Sequence, residues 1–314
     1  MDADKIKNHL RISIIIPILN EENNIKPLYE KICSEIVNFD WELIYVDDGS
    51  SDNSFSIMRE LLEKNRNIKI IKFKHNYGQP AAMRSALDLA SGDLIAFMDG
   101  DGQFEPKDVE KLCVFMISNN YDLVSGCRVE RQDKWLDCFF SKMGNYCINK
   151  TLSVKQSDYG SLKVFSKGLI NKIKEYHYKN LHIYSVGYYL SEKYGETPID
   201  HKSRISGQSK WNVIKRLSLY IEMWISFNAF PLRILYISST TFIVFNFFYF
   251  FYYYLQITAD FKSLLLILFL TASSILMFCL TIVIDILIKV LTNSMIIKQS
   301  PEIEAVFEHK RPVK

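Results

Sequence analysis

Two aspartates separated by one residue, Asp99 and Asp101 in Phe97-Met98-Asp99-Gly100-Asp101-Gly102-Gln103, carry the strongest chemical signal in the chain. They end a short apolar run that reads as a strand. Residues two apart in an extended chain project to the same side, so both carboxylates can face one point. Neighbouring carboxylates repel, and a divalent cation relieves the repulsion. Mg2+ typically takes one or two carboxylates and completes its shell with water and substrate phosphates. Glycines at 100 and 102 leave room for a diphosphate to approach the backbone. An EF-hand loop is the competing reading, with Asp99, Asp101 and Glu110 at its first, third and twelfth positions. It needs a glycine where Phe104 stands and a helix where the strand-like run lies, so it is rejected. A lone D-x-D is also common as a solvated loop.

Two further clusters sit at the ends of apolar runs. Pro17-Ile18-Leu19-Asn20-Glu21-Glu22 follows the first run and Asp47-Asp48-Gly49-Ser50-Ser51-Asp52 the second. Polar side chains at such strand ends can read a nucleotide base and ribose. The plainer reading of residues 47–52 is a turn leading into a helix, with Ser51 or Asp52 as its cap. Three polar clusters at successive strand ends imply a nucleotide-diphosphate site rather than a glycine-rich cradle, and neither G-x-G-x-x-G nor a Walker sequence is present.

The elements that must position these residues follow from the apolar runs Ile12–Leu19, Trp41–Val46, Ile68–Phe73, Asp93–Met98 and Asp122–Ser125. Each is four to eight residues long and rich in Ile and Val, as expected of strands covered on both faces of a parallel sheet. Helical stretches are predicted between them at Asn24–Phe39, Ser54–Asn65, Gln79–Ser91 and Pro106–Ser118, with two more at Asp133–Thr151 and near Ile183–Tyr194. The alternation predicts a doubly wound α/β domain, in which ligands bind beyond the carboxyl ends of the strands.

The last third has a different character. Trp211, Ile214, Leu217, Ile221 and Trp224 recur at helical spacing within Lys210–Phe230, as in a helix lying in a membrane interface. Ile234–Ile257 and Leu264–Ile284 contain no charged residue, and each is long enough for a hydrocarbon core that takes about 20 apolar residues. The short connection Thr258–Ser263 makes the pair a hairpin. Lys210, Lys215, Arg216 and Arg233 before it and Lys289 and Lys298 after it place the soluble domain and both termini in the cytosol. Of 314 residues 48% are hydrophobic and 23% charged, which excludes general disorder, and the net charge of +3 points to no nucleic-acid partner. Six cysteines form no C-x-x-C pair or zinc spacing and read as reduced thiols, and the charged N-terminus carries no secretory h-region.

The motifs IIIPILNEENNI, LIYVDDGSSDNS, KHNYGQPAAMRSAL, GDLIAFMDGDGQFEP and SRISGQSKW resemble the family 2 glycosyltransferases of the GT-A fold, and within them the polyprenyl-phosphate glycosyltransferases. The resemblance covers about Ile12 to Trp211. It implies a Rossmann-like, mostly parallel sheet flanked by helices, in a cytosolic domain at 1–209. An amphipathic juxtamembrane helix at 210–232, two spans within 233–288 and a C-terminal tail at 289–314 complete the layout. By the same resemblance Pro17, Asn20, Glu21 and Asp48 hold the nucleotide with Asp47 and Asp99 in support, while Asp99, Asp101 and Gln103 bind Mg2+ or Mn2+ and the donor diphosphate. Arg128, with Ser141 close by, meets the acceptor phosphate, and Arg204 and Lys210 close over the phosphates. Some relatives carry an arginine where Asp137 stands, and Arg131 or Lys134 supplies the charge here. Relatives also carry D-A-D-L where this chain has D-G-D-G, expected to loosen the loop, and arginine at the place of Lys163.

The implied reaction is metal-dependent, inverting transfer of a sugar from a UDP-sugar to undecaprenyl phosphate at the bacterial inner membrane, with homo-oligomers forming through the hairpins. Two alternatives are weighed against it. A processive polysaccharide synthase would carry Q-x-x-R-W, where this chain has Gln208-Ser209-Lys210-Trp211, and enough spans for a channel. A non-catalytic scaffold would have lost its carboxylates, yet Asp48, Asp99, Asp101 and Gln103 are all present.

Overall fold

A strand made mostly of large apolar residues has little polar face to give to water, so each such run must be covered on both sides. In the computed structural model this produces four neighbouring parallel strands: β1 (Arg11–Ile18), β2 (Asp40–Asp47), β3 (Ile68–Phe73) and β4 (Leu94–Phe97). The structure describes residues 10–128, 146, 149–150, 154–157, 162–176, 183–199, 230–255, 261–297 and 301–308. Helices α1 (Glu22–Glu35), α2 (Ser54–Lys64), α3 (Gln79–Ala86) and α4 (Pro106–Asn119) alternate with the strands. On one sheet face Ile14, Ile16, Leu43, Tyr45 and Ile70 pack with Ile25, Leu28 and Ile32 of α1, Met58 of α2 and Leu112 and Met116 of α4.

The predicted runs match these strands to within about a residue at most ends. Four strands complete the sheet: β5 (Leu123–Arg128), β6 (Lys163–Ser166), β7 (Tyr194–Ile199) and β8 (Ile303–Glu308). The order is β7-β5-β6-β4-β1-β2-β3-β8, with β6 antiparallel to β4 and β5, and β8 antiparallel to β3. Helices α5 (Lys167–Glu175) and α6 (Ile183–Leu190) follow β6, and Tyr184 of α6 meets Phe97 and Phe165 at ring distances of 6.1 and 6.2 Å. The chain runs from β1 to β3 in one direction and returns to place β4 on the other side of β1. Such a reversal in strand order is where open α/β sheets bind ligands, here at the carboxyl ends of β1 and β4.

Two compact units divide the chain, Met1–Tyr220 with Gln299–Lys314, and Ile221–Lys298. The C-terminal residues therefore include more than a tail. Strand β8 pairs Phe307 with Ile70 and Glu308 with Lys69, and Lys74 N–H donates to the Glu302 carbonyl at 3.1 Å. Phe307 packs 5.5 Å from the Phe55 ring and under Arg59, and Glu302 and Glu304 pair with Lys74 and Lys72.

The second unit contains two long helices, α7 (Phe230–Leu255) and α8 (Phe261–Ile297). Within α8 the 20 residues Leu268–Leu287 are long and apolar enough to cross a membrane. They form the single such stretch among the described residues, so of the expected two-span hairpin one span meets that measure. The tyrosine-rich α7 is its partner helix. Asn246 of α7 and Ser274 of α8 are hydrogen-bonded and buried, and Tyr236 Oη donates to Asp285 Oδ2 at 3.1 Å. Polar contacts of this kind hold helices together where apolar burial gives no advantage. The expected interfacial helix at 210–232 lies almost wholly outside the described residues.

Candidate active site

Because β1, β2, β3 and β4 are parallel, the loops that leave their carboxyl ends gather along one edge of the sheet. Residues 19–21, 48–53, 74–78 and 98–105 form those loops. Arg128 ends β5, which points the same way, and Lys163 begins the antiparallel β6, so both reach this edge. Three polar strand-end clusters separated in sequence thus come together with two basic residues.

The first two loops are tied by their own side chains. Asn20, in the left-handed region at φ 52°, accepts from Ser51 N–H at 2.8 Å, and its own N–H donates to Ser50 Oγ. Asparagine tolerates that conformation because its short side chain can bond locally. Glu21 N–H donates to Ser54 Oγ, and the Glu21 carboxylate accepts from Asn24 at 2.6 Å. Pro17 lies in β1 beside Val46. Gly49, at φ +76°, comes so near the third loop that a Cβ there would stand 2.7 Å from the His75 carbonyl carbon.

Asp47 and Asp48 are both buried. Burial raises both carboxyls above the ordinary carboxylate range. Hydrogen bonds from Ser50 and the charge of Lys72 partly offset this for Asp47, as the backbone N–H groups of Tyr77 and Gly78 do for Asp48. Asp47 Oδ1 accepts from Ser50 N–H at 2.9 Å while its Oδ2 is buried with no hydrogen-bond partner. Asp48 Oδ1 accepts from Tyr77 N–H at 2.7 Å and Oδ2 from Gly78 N–H at 2.9 Å. Asp48, expected to hold the nucleotide, is thus engaged with the third loop.

Asp99 follows β4, and its Oδ1 accepts from Gln79 Nε2 at 2.7 Å. Asp101 Oδ1 accepts from Gln103 N–H at 3.1 Å, which turns that carboxylate onto its own loop. Gly100 between them is confined: a Cβ would stand 2.6 Å from Ile18 Cδ1 and 3.3 Å from the Pro17 carbonyl. Ile18 fills the space where an alanine methyl would go. Glu105, at the start of α4, is buried and pairs with Lys31 of α1 at 3.0 Å, pinning the far end of the loop.

No group of three or more His, Cys, Asp and Glu side chains converges among the described residues. Two carboxylates and the Gln103 amide form an all-oxygen set that suits a hard divalent cation finishing its shell with substrate phosphates. Arg131, Lys134, Asp137, Ser141, Arg204 and Lys210 lie outside the described residues. Sequence reasoning missed Gln79 and the Lys31–Glu105 pair. The signal for Gln79 was present in Gly78-Gln79-Pro80, a helix start at the end of a strand in the same parallel set.

Comparison with known proteins agrees with this geometry. The profile of glycosyl transferase family 2 matches residues 13–170. A dodecaprenyl-phosphate galacturonate synthase of Rhizobium johnstonii is 34% identical over 222 residues, 68% of this chain and 65% of that protein. The match therefore spans just under two thirds of that relative. An undecaprenyl-phosphate 4-deoxy-4-formamido-L-arabinose transferase of Proteus mirabilis is 32% identical over 243 residues, 76% of this chain and 74% of the relative. Among solved structures, glucosyl-3-phosphoglycerate synthase of Mycobacterium tuberculosis, with Mn2+, UDP and glucosyl-3-phosphoglycerate, superposes with a TM-score of 0.53. Its identity is 17%, and the match covers 71% of this chain and 82% of that one. At that identity the likeness concerns the fold.

Proposed function

From the premise that this chain belongs to glycosyl transferase family 2, we propose that it moves a sugar from a nucleotide-sugar onto a polyprenyl phosphate at a membrane surface. The observation that carries the proposal is the meeting of Asn20, Asp48, Asp99 and Asp101 at one sheet edge, in a chain whose curated relatives bear polyprenyl-phosphate names. The donor is a UDP-sugar and the acceptor undecaprenyl phosphate.

The chemistry asks little of the protein in proton transfer. A polyprenyl phosphate is anionic near neutral pH, so its oxygen attacks the anomeric carbon without a general base. The bond from that carbon to the diphosphate breaks, the nucleoside diphosphate leaves with the electron pair, and configuration inverts. The difficulty is to bring two anions together and to stabilise the departing one. Asp99, Asp101 and Gln103 would hold Mg2+ or Mn2+, which supplies Lewis-acid stabilisation of the leaving diphosphate when bound. Asn20, Glu21 and the 47–51 turn bind the nucleoside, with Pro17 lining the β1 end. Arg128, with Arg131, Lys134, Ser141, Arg204 and Lys210, clamps the phosphates through charge-assisted hydrogen bonds.

Strand pairing supports a membrane topology. Strand β8 follows α8 and pairs with β3, so the chain beyond the apolar helices lies on the same side of a bilayer as the sheet. The pairing supports an even number of crossings, read here as α7 and α8, and the lysines and arginines flanking them support a cytosolic catalytic domain.

The test incubates the purified full chain in detergent with undecaprenyl phosphate, Mn2+ or Mg2+ and a panel of UDP- and GDP-sugars, including galacturonate and formamido-arabinose donors. Lipid products are read by mass spectrometry. A metal-dependent lipid-phosphate sugar, absent from Asp101→Asn, is expected. A chain that binds no nucleotide with either metal would overturn the proposal.

A further inference from the structure

We infer that Gln79 is a positioning residue for Asp99 and that Asp48 acts through Gln79, the two forming one device that sets the cation-binding carboxylate. The inference deepens the reading above and rests on it.

The third strand-end loop is fixed at three points. Gly49 lets the His75 backbone come close to the second loop. Asp48, buried at the end of β2, takes the N–H groups of Tyr77 and Gly78, one on each carboxylate oxygen. Gln79 is the next residue and the first of α3, where Pro80 confirms the helical entry. The third loop carries Gln79 away from the β3 end, and its side-chain amide donates to Asp99 Oδ1, in the loop that leaves β4, at 2.7 Å. A terminal carboxylate torsion is broad and roughly two-fold, so one strong donor at one oxygen selects its plane. A neutral amide orients the carboxylate without competing for the cation by charge. Groups that orient metal-binding side chains in this way typically carry about 10- to 100-fold in metal affinity.

Two readings of Asp48 make different predictions. If Asp48 serves the nucleotide alone and Gln79 separately orients Asp99, their effects are independent. If Asp48 sets the backbone from which Gln79 reaches out, losing either one loses the same interaction, and the two substitutions are not additive.

The experiment measures Mn2+ affinity of the full chain in detergent with saturating UDP, from the electron paramagnetic resonance signal of unbound Mn2+. Gln79→Ala is expected to weaken Mn2+ by about 10-fold or more and to leave UDP binding without metal unchanged. Asp48→Asn shifts Mn2+ affinity in the same direction, and the double variant is no weaker than the weaker single. Wild-type Mn2+ affinity in Gln79→Ala overturns the inference, as do additive losses in the double variant. Gln79→Ala decides the first point alone if Asp48→Asn does not fold. Failure of the wild-type protein to bind Mn2+ with UDP at all would instead sink the glycosyltransferase reading on which the inference rests.

Discussion

The Lys163 ammonium donates to Ser125 Oγ at 2.8 Å in a position with no exposure to solvent, 4.9 Å from the Tyr184 ring and 5.6 Å from that of Tyr188. In register it stands beside Phe97, two residues before Asp99, and beside Ser125, three before Arg128. A lysine is therefore built into the sheet between the loop proposed to bind the cation and the arginine proposed for the acceptor phosphate. The aromatic faces and the hydroxyl stabilise it where water does not reach.

Relatives by resemblance carry arginine at this position, and the two cations are not interchangeable in a filled site. Lys163→Arg forces a larger planar group between Tyr184, Tyr188 and Ser125 and should cost about 1–3 kcal/mol of stability. The measurement is thermal unfolding of the full chain in detergent. An unchanged midpoint would mean that the tyrosines have room to move apart.

Gly100 and Ile18 share one space. Gly100→Ala should destabilise the protein by about 1–3 kcal/mol through overpacking, because the new methyl meets Ile18 Cδ1. Ile18→Val removes that terminal carbon, so the double substitution should recover most of the loss. Equal damage in the single and double variants would refute the steric account.

Glu42 gives a pH signature. It is buried and accepts from Ser13 Oγ at 2.5 Å and from Ser91 N–H at 2.6 Å, and its Oε2 stands in an ion pair 3.2 Å from Lys69 Nζ. Burial pushes its carboxyl up, but the Ser13 and Ser91 hydrogen bonds and the Lys69 charge outweigh it and hold the group below the ordinary range. A lowered folded value gives stability that is present above the unfolded value near 4.3 and lost as pH falls through the folded one. Asp47 and Asp48, both raised, act in the opposite sense, their protonation favouring the fold as pH falls. The quantity to measure is thus the difference between wild type and Glu42→Gln. It should be about 3 kcal/mol at neutral pH and shrink as pH drops from about 6 towards 3. A difference independent of pH would remove the charge from the explanation.

Deleting residues 301–314 should speed amide exchange across 69–74, where Lys74 N–H loses the Glu302 carbonyl. Phe307→Ala should produce part of the same effect, since the ring packs against Phe55. The Lys72–Glu304 and Lys74–Glu302 pairs are exposed, and each contributes at most about 1 kcal/mol, so high salt should change little. Exchange at 69–74 unaltered by the deletion would show that β3 needs no partner.

Much of the fold was readable because burial on both faces writes itself as runs dominated by Ile and Val, as in Ile14–Ile16. Strand β6 was not, since its four residues, Lys163-Val164-Phe165-Ser166, place a buried cation where the pattern asks for an apolar side chain. Strand β7 contains Gly195 and Pro198, which read as turn residues, and β8 is an edge strand with only partial burial. In the site, Asp99 and Asp101 were legible because their chemistry and spacing are local. The Gln79–Asp99 bond was not, because it exists only once two loops twenty residues apart are brought to one edge.

Strand β8 also sets an order of manufacture. Lys72 leaves the ribosome 232 residues before Glu304, the residue it pairs with. Throughout that interval β3 is an open sheet edge, a template for pairing with other chains. Both long helices are translated before the strand that covers it, so β3 gains its partner only after the apolar helices have been made. A message truncated within α8 would yield a protein with all four central strands and every described candidate site residue, yet with that edge permanently uncovered.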